Sequence, residues 1–158
     1  MANTQAMCTS FMGELMTATH NFGVAPTRAT TTVDSFKAAL YLASATMNAG
    51  ATVYTSTGEV TGTNYTAGGV AVTMGTAPTA TNSSATAGVA FVTPSASITY
   101  TNVTLSTAFD AVLLYNSTQS NKAVSVHTFG SQTITAGTFT LTMPSNTTTT
   151  ALLRLATT

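Results

Sequence analysis

The chain has 158 residues, 5% of them charged, and a formal net charge of zero; its 16.0 kDa is one domain's worth. Its eight ions are Glu14, Arg28, Asp34, Lys37, Glu59, Asp110, Lys122 and Arg154, about one per 900 Å² of an expected surface of roughly 7,400 Å². Four dispersed cations exclude a nucleic-acid interface and an anionic-membrane footprint, and the absence of charge runs excludes a charged tail.

Such a surface is built from hydroxyls, amides and small apolar groups. Near-zero net charge promotes association, so the composition suits a protein partly covered by copies of itself or by partners. Cys8 stands alone, which leaves no disulfide framework and no cysteine-based zinc site. The first 22 residues carry no Lys or Arg and no apolar run of signal-peptide length. No stretch approaches a membrane span. The expectation is a protein made in the cytoplasm and left unprocessed. Five sequons (Asn64, Asn82, Asn102, Asn116, Asn146) are expected by chance in a chain so rich in Thr and Ser.

In chain order, residues 4–19 predict the one helix. Met7, Phe11, Leu15 and Ala18 fall on one face of a 3.6-residue period, and Met12 and Met16 widen the stripe. Asn3 or Thr4 can cap its start, and Gly23 supplies a stop. The period then changes to two. Val33–Leu42 predicts a strand with Phe36, Ala38, Leu40 and Leu42 on one face. Residues 43–52 read as a loop, followed by short strands at Val53–Thr55 and Glu59–Thr61. The phrase Thr-Ala-Gly recurs at 66–68, 86–88 and 135–137, each time before an alternating segment (69–74, 89–94 and 138–144). It reads as a turn in which Gly permits positive φ.

Residues 76–86 read as an exposed loop. Further strands are predicted at 97–100, 103–106, 109–115, 122–129, 132–135, 138–143 and 149–156, with a polar hairpin loop at 116–121. About a quarter of the residues are Thr, a β-branched residue that suits a pleated surface and keeps it wet without charge. The predicted fold is mainly β: an antiparallel two-sheet sandwich or a Greek-key, jelly-roll-like barrel with one N-terminal helix. The division is 1–24 as a helical arm and 25–158 as a single β-sandwich domain.

Catalytic candidates are few. Ser125 and His127 share a strand face, and Asp110 could complete a triad. Two such positions lie about 6–7 Å apart along a strand, and no nucleophile-elbow sequence is present, so a structural histidine is the favoured reading. His20 follows the helix's last turn, where the dipole favours a cation. Cys8 reads as buried against the sheet. The carboxylates are isolated and form no calcium loop; Asp34 and Asp110 could meet as a carboxylate pair or, equally, pair with Lys37, Lys122 or Arg154. No set of residues suggests a metal or cofactor, and the expectation is no enzyme. Tyr41, Tyr100 and Tyr115 sit in alternating strands and read as core or interface aromatics.

The order of phrases resembles a family of small virion structural proteins of tailed bacteriophages. The phrases are Cys8–Phe11, Glu14-Leu15 and His20–Phe22 near the N-terminus, Asp34–Tyr41, Gly58–Val70, Ala111–Asn116, Asn121–Ser131, Thr135–Pro144 and Ala151–Leu155. The resemblance implies a β-rich virion component made in many copies. Its most direct form is a decoration (cement) protein on the capsid exterior, binding the major capsid protein. A neck, tail or fibre component is the alternative, and a carbohydrate-binding adhesive module is a further one. A homo-oligomer, trimer or dimer, follows from lattice symmetry. The candidate partner contact is the helix stripe Met7, Phe11, Met12, Leu15 and Met16, where the methionines can fit an irregular groove. The same stripe could equally close one end of its own barrel.

Overall fold

The structure is a computed structural model that describes residues 2–16, 19–23, 33–81 and 88–156. In chain order the elements are β1 (Ala6–Met7), α1 (Thr9–Met16), β2 (Phe36–Leu42), β3 (Val70–Val72), β4 (Thr79–Ala80), β5 (Val89–Val92), β6 (Ile98–Asn116), β7 (Lys122–Leu141) and β8 (Leu153–Ala156). They form two antiparallel sheets, in the orders β1-β7-β6-β2-β3 and β4-β5-β8, with one short helix. This is the mainly β, sandwich-like class that the strand pattern predicts.

The 19- and 20-residue strands β6 and β7 dominate the molecule. Their register shifts five times, and each irregularity bends the ribbon. The bending is extreme. Phe129 and Phe139 lie ten positions apart in β7, which would be about 33 Å in a straight strand. Their ring centroids are 5.2 Å apart. The distal half of the hairpin therefore folds back over the proximal half. Ile98 and Leu141, from its far end, face Val112, Leu114 and Ala38 across a cavity of about 140 Å³. The Tyr100 hydroxyl donates to the Ala38 carbonyl at 2.8 Å. One ribbon thus supplies two layers.

The central strand β2 lies between β6 and β3. Its residues 36 and 38–41 are all buried, so both faces are covered. This differs from the one-sided strand expected of Val33–Leu42. Returning ribbon covers the face of Ala38. Tyr54, from the segment after β2, stacks on Tyr115 at 4.9 Å and covers the other face. Gly58–Val60 extends the β2 edge through Leu42 N to Gly58 O and Val60 N to Leu40 O. Val53 and Glu59 make isolated bridges rather than strands.

Several other expectations change. The predicted strands 97–100, 103–106 and 109–115 are one strand, continued through Asn102 at φ 51°. Likewise 122–129, 132–135 and 138–143 are mostly β7. Its Thr135-Ala136-Gly137 is a kink, with Ala136 and not glycine in the left-handed region at φ 45°. Only at 66–69 does the phrase make a tight turn, with Gly68 and Gly69 at φ 86° and 71°. The 86–88 instance lies mostly outside the described residues. The expected 76–86 loop contributes β4. The predicted 4–19 helix is shorter, because Ala6 and Met7 pair with Val126 and Ser125 of β7. Positions 17 and 18 lie outside the described residues. Cys8, Phe11 and Phe22, from the segment expected as an arm, belong to the same core as β2 and β6. No helix among the described residues is long and apolar enough to cross a membrane.

Candidate interaction surface

The α1 stripe is turned largely inward. Phe11 is 2% exposed; its ring meets the edges of His20 and Phe22, and Phe22 stacks on Phe36 at 4.5 Å. Met7 and Leu15 are half-buried. With Phe11 and Phe22 they line an apolar cavity of about 100 Å³ whose opposite wall is Val92, Leu153 and Leu155 of the small sheet. Met12 is 48% exposed. The Met16 side chain lies outside the described residues. The stripe thus joins the two sheets, with Met12 left facing solvent.

A polar network pins this end of the molecule. Asn116 is wholly buried. Its Oδ1 accepts from the backbone N–H groups of Thr118 and Gln119, both at 3.1 Å. That fixes the amide, so Nδ2 donates to Asp34 Oδ2 at 2.8 Å and to His20 Nδ1 at 3.0 Å. His20 Nδ1 is then an acceptor, and its Nε2–H donates to Glu14 Oε2 at 2.7 Å. Lys122 Nζ donates to the other Glu14 oxygen at 2.6 Å. Burial alone would raise the Glu14 carboxyl; the hydrogen bonds of Lys122 and His20 and the Lys122 charge outweigh it and hold it below its ordinary value. Asp34 also accepts from Asn21 N and from Gln119 Nε2. His20 is therefore a bridge between helix and hairpin turn, and not the dipole cap expected from its position.

A second cluster surrounds Glu59, which is 6% exposed. It accepts from the Tyr54 and Tyr65 hydroxyls at 2.6 and 2.8 Å and from Gly68 N at 2.7 Å. Tyr65 stacks on Tyr100, and Tyr115 donates to the Gly68 carbonyl. Tyr41 closes the group by donating to Thr55 O at 2.5 Å. All five tyrosines are thus spent inside. Burial first, then the neighbouring carboxylate, raises Tyr54 to about 12. No cation among the described residues reaches Glu59.

The structure corrects two expectations about reactive groups. Ser125 Oγ and His127 Nε2 are hydrogen-bonded at 2.8 Å, because both side chains lean together across the spacing that their backbones keep. The third member is elsewhere engaged: Asp110 Oδ1 accepts from Asn3 Nδ2 at 2.5 Å. Burial depresses His127 to about 4 and raises the Cys8 thiol, with help from Glu14, to about 11. The expected pairing of Asp34 and Asp110 with Lys37, Lys122 or Arg154 does not occur, since Lys122 goes to Glu14.

Asn21, Asn116 and Gln119 are organising residues that sequence reasoning missed, as are the partners of Asn3, read only as a helix cap, and of Glu59. Their one legible signal is rarity: a carboxylate in a chain with four carries more structural weight than usual. Comparison with protein-family models, with curated proteins and with solved structures returned no match.

Proposed function

We propose that the protein is a structural component of a bacteriophage virion, a decoration protein that binds the major capsid protein lattice on the outside of the head. One observation carries the reading. Of the seven charged residues described, Arg154 alone is exposed, on a total surface of 8010 Å². Asp34 and Glu59 are buried, and the other four are partly buried. An exterior so poor in ions pays little desolvation on being covered. Repeated copies on a lattice gain avidity from weak individual contacts. The resemblance of the sequence phrases to phage virion proteins points the same way. The tyrosines named for an adhesive module do not favour that alternative, because Tyr100 and Tyr115 are 2% and 3% exposed and cannot stack on a sugar.

The test is quantitative mass spectrometry of purified virions, with particles lacking the protein as comparison. Copies in the hundreds, and genome release at lower temperature without it, are expected. A dozen or fewer copies would move it to the neck or tail. Its absence from virions would end the proposal.

A further inference from the structure

We infer that two copies of this chain pair edge to edge through the distal section of β7, Gly137–Leu141, making one sheet across a two-fold axis near Thr140. The inference concerns the isolated chain and stands apart from the virion assignment.

An unpaired strand edge recruits another strand unless something guards it; the usual guards are shortness, charge, proline and bulges. The other edges are guarded: the distal outer edge of β6, which β2 does not reach, is met by Thr63 at Thr104 and by the Asn64 side chain at the Asn102 carbonyl. β1 and β4 have two residues each and β3 has three. Beyond β3, Ser95 N is bonded to Thr73 O at 2.9 Å. β8 has four residues, one of them Arg154.

β7 is different. Its outer edge is occupied near the hairpin turn, by Ala123 N to Thr52 O, by Cys8 N to Val124 O and by β1 at Ser125 and Val126. Beyond Val126, its only backbone ladder among the described residues is to β6. From Ala123 to Leu153 the sequence holds no Asp, Glu, Lys or Arg. The kink around Ala136 spoils the middle of the edge as a template, since a bulge twists the strand aside. The section after it keeps strict alternation: Thr138 and Thr140 are exposed, and Phe139 and Leu141 are half-buried. Phe139 is anchored against Phe109 at 5.1 Å, so the section is held firmly in place.

The occupant is a second copy, for reasons of charge and symmetry. The edge is uncharged and the whole chain is neutral, so two copies meet without repulsion. A charged partner gains nothing there. Antiparallel pairing about a two-fold axis offers each outward-facing N–H near the axis a carbonyl of the other copy's β7. It also sets threonines across from threonines, a favourable cross-strand pairing.

The test uses the full chain and sedimentation velocity. Wild type is expected to sediment as a dimer, and Thr140→Lys and Thr140→Glu each as a monomer, because like charges meet at the axis. An equimolar mixture of the two variants should recover a dimer. Thr101→Lys, at an exposed β6 position beside the pair, should leave the dimer intact. Circular dichroism confirms that each variant is folded. A wild type that is monomeric at millimolar concentration overturns the inference. So does a dimer that survives either Thr140 variant, or one that Thr101→Lys disrupts equally. Virion incorporation of the wild type is scored separately, so either proposal can fail alone.

Discussion

Asn116 shows how much one side chain can organise. It is hydrogen-bonded to two backbone amides of its own turn, to a residue 82 positions away and to one 96 away. Removing it orphans several buried groups at once. Asn116→Ala should therefore cost about 3 kcal/mol or more, read as a shift in denaturant midpoint. Its sequon cannot be glycosylated in the folded state, since the side chain is fully buried. None of this is legible in the sequence, where Asn-Ser-Thr reads simply as the entry to a hairpin; partners so distant emerge only from the fold. His127 gives a pH signature. Its folded value, about 4, lies below the ordinary 6.5 because of burial. The unfolded chain thus binds more protons between those values, and stability falls as pH drops from about 6.5 to about 4. The loss is roughly 3 kcal/mol at most, by proton linkage. Thermal unfolding across that range should show it, and His127→Gln should flatten the slope.

At the scale of elements, the strands of the hairpin are legible and their continuity is not. Alternation marks residues 109–115 and 122–129 clearly. Asn102, Ala136 and the glycines look like chain reversals, yet the ladder runs on through them as kinks. Local sequence records that φ turns positive; only packing decides whether the chain then reverses. The helix was legible as a stripe. Its length was not, because β1 competes for the same residues through pairing with β7. Two substitutions probe the turns. Ala136 holds a left-handed conformation at φ 45° that glycine adopts without strain. Ala136→Gly should therefore stabilise by up to about 1 kcal/mol in chemical denaturation. Gly69→Ala should do the reverse and prevent stable folding. Its Cβ would sit 1.7 Å from the Ala38 carbonyl oxygen at a φ of 71°, and neither backbone can retreat. Loss of the cooperative unfolding transition is the expected readout.

At the scale of the whole molecule, the sequence announces a scarcity of ions, and the structure puts most of the few it has out of full contact with water. Among the described residues the ion pair Lys122–Glu14, to whose carboxylate His20 also donates, is part-buried with contacts of 2.6–2.7 Å, where salt screens weakly. Unfolding temperature should therefore change little between low and high sodium chloride, and the capsid binding proposed above should survive high salt. A steep salt dependence in a binding titration would expose a charged interface that the surface does not suggest. The folded-back ribbon also imposes an order in time. Its second layer cannot dock until β6 and β7 have zipped and creased, because Phe139 meets Phe109 and Phe129 only after both steps. Such non-local closure is slow, on the order of milliseconds to seconds. A newly made chain would expose its aromatic cluster for that interval, and the nascent protein is at its most adhesive just before it finishes.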